Sequence, residues 1–528
     1  MKGRILTLAI LVLLLATSAM AEDVAYVRID TQDVFERTEI AERGYVIDYV
    51  NLEEGWVWAE VPLVELDEVG KLGYRVEVLD VQEKFPPAYD DYHNYGEATA
   101  LLQEWANTYS DIAVLFTLGQ SIEGRELWGL KISDNPTVDE TDEGAFFLCG
   151  QHHAREILTV ESVLYTTQQI LENYGVDDYI TFLVDNRELF IVPTVNPDGA
   201  EWDQSGASFK MWRKNRRVNE GSTAMGVDLN RNYGYMWGGA GSSNFPGSET
   251  YRGTAAFSEP ETAAVRDFVT AHTNINVLIS MHTYSKLLLY PWGYTYERIE
   301  DQIDFLTHKY LAQEMAKFNG YRAQSASALY LTTGDTDDWA YGDQGIITFT
   351  FEMDPNEFNP LGFYPQPSTI QASVEKNYPA HLLAYGLSRD PSLVLSSDLW
   401  QLDAYQSGAN IAIEWAPIIE TEASGWNVLR STGGKAYTPI NDTLIVPGQT
   451  SYSFTDTNVT MGQAYSYKIQ FVSNYDNNQE FGPVSVDLSG DDDDDDDDTA
   501  DDDATDDDTI DDDDQSDNDD DDDDGCGC

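Results

Sequence analysis

Between Tyr89 and residue 388, apolar residues gather into short unbroken runs: Ala145-Phe-Phe-Leu-Cys149, Leu189-Phe-Ile-Val192, Ile275–Ser280 and Ile346–Phe351. Runs of that length read as buried strands. Longer segments lie between them, and in Ile157–Tyr174 the apolar spacing and length are those of an amphipathic helix. Alternation of the two predicts an α/β domain over 88–388. The flanks follow other periods. Residues 22–86 carry strand-like runs (Val24–Ile29, Gly55–Val61, Tyr74–Leu79) and a helix-like Leu63–Leu72, enough for a small α+β unit that ends at an exposed junction, Lys84-Phe-Pro-Pro87. Residues 394–488 hold short alternating segments with turns between them, Ala412–Trp415, Trp426–Leu429, Tyr452–Phe454 and Tyr465–Val472, which predicts a β-sandwich.

The two ends change the picture. Lys2 and Arg4, the apolar run Ile5–Ala16 and Ala19-Met-Ala21 make a secretory signal peptide over 1–21, with a core too short to span a bilayer. No later segment is apolar enough to span one, so the mature protein is expected to have no transmembrane helix and to be secreted, extracellular or held at the cell surface. The formal net charge is −64, and 25 Asp fall in 491–524 without one basic residue. Such a run cannot collapse, so the tail over 491–528 is expected to be disordered. It would hold Ca2+ only weakly, by charge density, because no spaced calcium loop is present. Its terminal Cys526-Gly-Cys528 offers a route to surface attachment. The rest of the chain is strongly acidic too, which repels phosphate and excludes a nucleic-acid partner despite the basic cluster Lys210–Arg217.

Candidate chemistry clusters at the predicted strand ends. His153 and Glu156 stand three residues apart just beyond the run 145–149, on a tight turn or helix start that lets imidazole and carboxylate face one ion. The distant His282 completes a His2Glu set with a fourth position free for water, the pattern of a catalytic rather than a structural zinc. His152, four residues before Glu156, reaches a shared ion equally well from a helix, so spacing leaves His152 and His153 open. Glu352 closes the run 346–351 and suits a general base, with a solvated strand-end carboxylate as the plain alternative. Arg213 can stabilise a developing oxyanion. Arg231 presents a planar fork that matches a terminal carboxylate, and Asn230 adds a further donor. His153, His282 and Glu352 all fall at or just past strand C-termini, the edge where open α/β sheets carry their sites.

Taken in order, His153-Ala-Arg-Glu156, Trp212-Arg213, Asn230-Arg231, His282-Thr-Tyr284, Tyr330 and Phe349-Thr-Phe-Glu352 resemble the zinc carboxypeptidases of the carboxypeptidase A/B type over roughly 88–388. The resemblance implies a mixed, mostly parallel sheet with helices on both faces, and one Zn2+ held by His153, Glu156 and His282. It implies Glu352 as general base and acid, Arg213 on the scissile carbonyl, and Asn230 with Arg231 on the substrate's terminal carboxylate. Tyr330 matches the mobile tyrosine that covers that carboxylate, and Arg155 and Tyr284 match outer-subsite residues. By position, 22–86 looks like a propeptide that shields the cleft of a zymogen. Asp337 falls at the base of the pocket for the C-terminal side chain, which is apolar in the A type and Asp in the B type. Asp335 takes a neighbouring position that is acidic in some bacterial relatives of mixed specificity. The implied substrates are peptides or proteins with a free C-terminus, ending in basic (Arg/Lys) or mixed residues. Residues 394–488 resemble a fibronectin type III domain. One rival is a zinc peptidase trimming peptidoglycan peptides, against which Asn230-Arg231 speaks. The other is a non-catalytic secreted peptide-binding protein, whose mark would be a lost ligand or general base, and none is missing.

Overall fold

The computed structural model describes residues 24–78, 89–355, 362–421, 423–474 and 478–488. The expected signal peptide, the Lys84–Pro87 junction and the Asp-rich tail with Cys526 and Cys528 lie outside the described residues. Among those described, no helix is long and apolar enough to cross a membrane.

The first unit is an antiparallel sheet of strands β1 (Val24–Asp30), β2 (Val46–Asn51), β3 (Trp56–Pro62) and β4 (Val76–Val78) in the order β2-β3-β1-β4. Two helices, α1 (Val34–Glu42) and α2 (Leu66–Lys71), accompany it, and Val27, Ile29, Ile40, Val57, Val61 and Val69 form its core. The segment expected as one helix from Leu63 begins as a 3-10 turn, Leu63–Glu65, before α2. Helix α1 and strand β2 were not expected. The apolar period of α1 is faint, and its start is set by the Asp33 carboxylate, which accepts from the backbone N–H groups of Phe35 and Glu36.

The central sheet has eight strands: β5 (Ala113–Gln120), β6 (Glu126–Ile132), β7 (Gly144–Gly150), β8 (Arg187–Val192), β9 (Ile275–Thr283), β10 (Leu287–Tyr290), β11 (Arg322–Ser325) and β12 (Ile347–Met353). Their order is β11-β10-β12-β9-β7-β8-β6-β5. Pairing is parallel through β12-β9-β7-β8 and at β10-β11, and antiparallel at β10-β12 and through β8-β6-β5. Around it lie α3 (Tyr95–Thr108), α4 (Leu158–Asn173), α5 (Asp178–Asn186), α6 (Pro197–Gln204), α7 (Pro260–Ala271), α8 (Gln302–Asn319), α9 (Thr336–Gln344) and α10 (Ile370–Gly386). Phe146, Leu148, Ile191 and Ile279 face α3, α4, α5, α8 and α10, while Phe147, Cys149, Phe190 and Leu278 face α7 and α9. Burial on both faces is why these strands read as continuous apolar runs rather than as alternating ones.

Strands β13 (Ser397–Ser407), β14 (Asn410–Glu420), β15 (Ala423–Thr432), β16 (Thr438–Pro439), β17 (Tyr452–Asp456), β18 (Ala464–Ser473) and β19 (Gln479–Asp487) build two further sheets, β13-β14-β17 and β16-β15-β18-β19. Trp415, Trp426, Tyr467 and Phe471 fill the space between them. The sandwich leans on α5, with the ring of Trp400 5.5 Å from that of Tyr179.

The parallel ladder positions the site. Glu352 pairs directly with His282, and Gly150 with Met281, so the C-terminal ends of β7, β9 and β12 lie side by side.

Candidate active site

Just beyond β7 the chain turns sharply, and the backbone N–H of Glu156 donates to the carbonyl of His153 at 3.1 Å. The turn brings His153 Nδ1 to 2.7 Å from Glu156 Oε1. From β9, His282 Nδ1 arrives 2.9 Å from Glu156 Oε2 and 3.2 Å from His153 Nδ1. All three side chains are buried, with their donor atoms within 4.8 Å of one another. Ligand atoms around a tetrahedral zinc with bonds of about 2.0–2.1 Å stand roughly 3.3 Å apart, so two imidazole lone pairs and a carboxylate turned onto one point fit that ion. Each ring's far nitrogen is engaged, His153 Nε2 at 3.1 Å from Asp228 Oδ1 and His282 Nε2 at 3.1 Å from Ser280 Oγ, which keeps Nδ1 free for a metal.

His152 points elsewhere. Its Nε2 lies 2.8 Å from the Tyr233 hydroxyl and its Nδ1 3.2 Å from Ser280 Oγ, so both nitrogens are spent beneath the metal set. Burial, reinforced by His282 and His153, holds this imidazole well below its usual range and hence neutral. Geometry therefore brings His153, and not His152, to Glu156.

Arg213 donates to Asp228 Oδ2 through Nε (3.1 Å) and Nη2 (3.0 Å), and its Nη1 stands 4.0 Å from Glu156 Oε1. Asp228 thus bridges Arg213 and His153. Burial opposes its charge, but Arg213 and then His153 hold its carboxyl well below the usual range. The same carboxylate caps the 3-10 turn Leu229–Arg231 by accepting from the Asn230 N–H at 3.0 Å. Asn230 Oδ1 accepts from both the N–H and the hydroxyl of Thr336 at 2.9 Å, while Arg231, among the described residues, donates to the carbonyls of Gly241 and Asn230. Gly334, at φ +73°, lets the loop before α9 press against that turn, since a Cβ there would come 2.5 Å from the Arg231 carbonyl oxygen.

Glu352, half-buried near the end of β12, faces this group. Burial pushes its carboxyl well above the ordinary range, and the charge of Glu156 adds to the shift. Asp335 caps α9, its Oδ1 accepting from the Asp338 N–H at 2.9 Å and its Oδ2 from the Thr332 hydroxyl at 2.8 Å. Asp337 Oδ1 accepts from the Thr348 hydroxyl at 3.0 Å. Burial, followed by repulsion from Asp335, pushes its carboxyl up to about 8. Both acids line one cavity of about 100 Å3 with His153, Glu156, Arg213, Asn230, Arg231, Tyr330 and Glu352.

Ile47–Val50 of β2 also line that cavity. Arg155 is fully buried and bound to the first unit, donating to Glu60 Oε1 at 2.6 Å and to Asp48 Oδ1 at 2.7 Å. Burial, then the charge of Asp48, pushes Glu60 up to about 7. The ring of Tyr284 lies parallel to that of Tyr49, 6.2 Å away, and the Tyr330 hydroxyl donates to the Ile47 carbonyl at 3.4 Å. Ten of the twelve residues singled out in the sequence therefore line one cavity, His282 joins them through Glu156 and His153, and Arg155, Tyr284 and Tyr330 are engaged by the first unit rather than open to a substrate. Asp228, Ser280, Asp48 and Glu60 were not foreseen. A signal existed for Asp228, two residues before Asn230 and of the type that commonly supports a metal-bound imidazole. Glu60 lies in an expected strand with nothing in the sequence to mark it, and Asp48 lies where no element was expected.

A family model described as zinc carboxypeptidase matches residues 98–380. A zinc carboxypeptidase of Saccharothrix mutabilis subsp. capreolus is 39% identical over 324 residues, covering 59% of this chain and 73% of that protein. Carboxypeptidase A5 of Macaca fascicularis is 35% identical over 271 residues, 50% of this chain and 61% of the relative. Among solved structures, the carboxypeptidase A of Helicoverpa armigera shares the fold with a TM-score of 0.60 at 22% identity, over 70% of this chain and 98% of that one.

Proposed function

The chain belongs to the zinc carboxypeptidase family, and from that premise we propose that it is an exported enzyme that hydrolyses the C-terminal peptide bond of peptides and proteins with a preference for basic or mixed terminal residues, and that its first unit keeps it latent. The convergence of His153, Glu156 and His282 beside Arg213 and Glu352 carries the reading. Those three would hold the zinc, which when bound supplies Lewis-acid polarisation of water and of the scissile carbonyl. Glu352 takes the proton of the attacking water and returns it to the leaving amine. The Arg213 guanidinium, held by Asp228, is preorganised for the charge that develops on the carbonyl oxygen. Arg231 pairs with the substrate's terminal carboxylate and the Asn230 amide donates a further hydrogen bond, which is why a free C-terminus is required. Asp337, with Asp335 beside it, meets the terminal side chain, Tyr330 covers the bound end, and Arg155 with Tyr284 serves residues further back along the peptide.

Latency is supported by the pairing of Arg155 with Asp48 and Glu60 and by the β2 segment over the cavity. The three-plus-four strand arrangement of 394–488 supports the fibronectin type III likeness. Export and attachment through the tail rest on the sequence of the two termini.

The test uses protein freed of its first unit by limited proteolysis and peptides that differ only in a free or amidated C-terminus. Free peptides should be cut and amidated ones spared, with activity lost to a zinc chelator and restored by Zn2+. Equal cleavage of both forms would overturn the exopeptidase reading, and full activity in metal-free protein would overturn the site.

A further inference from the structure

We propose that His152 is a positioning residue that orients the metal ligand His282 through the hydroxyl of Ser280. The inference rests on the reading of His282 as a zinc ligand.

His282 turns Nδ1 toward Glu156 and His153, so its Nε2 carries the ring proton and needs an acceptor. Two polar atoms are near: Ser280 Oγ at 3.1 Å and Asn230 Nδ2 at 3.4 Å. Asn230 cannot accept there, because its oxygen already receives the N–H and hydroxyl of Thr336, and this settles which end of the amide is nitrogen. Ser280 Oγ is therefore the acceptor. Its own proton is directed to His152 Nδ1 at 3.2 Å, the stronger acceptor beside it, since its other neighbour is the thiol of Cys149. Acceptance at Nδ1 places the His152 proton on Nε2, where the Tyr233 hydroxyl at 2.8 Å and Thr336 Oγ1 at 3.3 Å receive it.

The side chains of this hydrogen-bonded chain are buried beneath the metal set. The His152 and His282 rings lie nearly parallel, 19° apart with centroids separated by 5.6 Å. Ser280 thus links the two rings. A ring held that way presents Nδ1 to the ion without searching other rotamers, which is the usual contribution of a partner behind a metal-bound imidazole.

The experiment measures zinc dissociation constants on the full chain by competition with a chromophoric chelator. The proteins are wild type, His152→Leu, His152→Asn, Ser280→Ala, the His152→Leu/Ser280→Ala pair and His282→Ala. If His152 acts through Ser280, the Leu and Ala variants each weaken zinc binding by roughly 10- to 100-fold. The pair should lose no more than the worse single, because both remove one path. His152→Asn, whose amide oxygen stands near the Nδ1 position, should keep most of the affinity. Wild-type affinity in both singles, or losses that multiply in the pair, overturns the proposal. So does a lowered melting point of the metal-free protein with an unchanged zinc constant, which marks a merely structural role. If His152→Leu does not fold, Ser280→Ala and His152→Asn decide by the same criteria. Wild-type affinity in His282→Ala would instead overturn the zinc site itself.

Discussion

Asp337 shows how one carboxyl acquires its character from its surroundings. Its ordinary titration lies near pH 4, yet burial and the neighbouring Asp335 push it up to about 8. In the empty pocket it is thus neutral through most of the physiological range and ionised above it. A guanidinium gains little from a neutral acid, whereas an ionised one about 4 Å away in an enclosed site offers several kcal/mol before desolvation takes much of it back. The sign follows: preference for a basic terminal residue should rise with pH through about 8. The measurement is kcat/KM, which reports the free enzyme, for matched peptides ending in Arg and Leu from about pH 6 to about pH 9. A plateau ratio of roughly 5- to 150-fold corresponds to a net one to three kcal/mol. Asp337→Asn should give a flat profile and Asp337→Ile should shift toward Leu and Phe; a wild-type ratio that ignores pH would remove Asp337 from the recognition of the side chain. Residue types and order made the candidates legible in the sequence. The shift itself was not legible, because it arises first from burial in the folded pocket and then from the charge of Asp335, with the hydroxyls of Thr350 and Thr348 on β12 opposing it.

At the scale of elements, the first unit meets the site through β2 and β3, which send Asp48 and Glu60 to one buried guanidinium, Arg155. Removing the partners of a buried ion leaves a cost of about 3–5 kcal/mol that opposes docking. The Asp48→Ala/Glu60→Gln chain should therefore hydrolyse long peptides faster than the intact wild type, and unchanged latency would mean that this contact does not hold the unit down. Glu60 adds a pH dependence. Its carboxyl is raised to about 7 when docked, so docking takes up a proton, is favoured most below the ordinary glutamate range and weakens as pH rises through about 7. Intact protein should accordingly show more activity, relative to protein freed of the unit, at about pH 8 than at about pH 5. Strands β1, β3 and β4 were legible from their apolar runs, whereas β2 and α1 were not, the start of α1 depending on the Asp33 cap more than on periodicity.

The whole molecule carries a formal net charge of −64 with only 30 Lys and Arg, so like-charge repulsion opposes compactness at low ionic strength. Chloride salt shortens the screening length from about 14 Å near 0.05 M to about 3 Å at 1 M and leaves buried pairs such as Arg155 with Asp48 largely untouched. The thermal midpoint should rise over that range of NaCl; a fall would show that exposed ion pairs outweigh the repulsion. The α/β class and the strand ends at which the site lies were determined by the sequence alone, because strands covered on both faces must be apolar without interruption, and that pattern is local. Tertiary structure decided the rest. Which of two adjacent histidines faces Glu156 depends on ring directions set by Tyr233 and Ser280, and Arg155 meets acids 95 and 107 residues away, a pairing that no local period encodes.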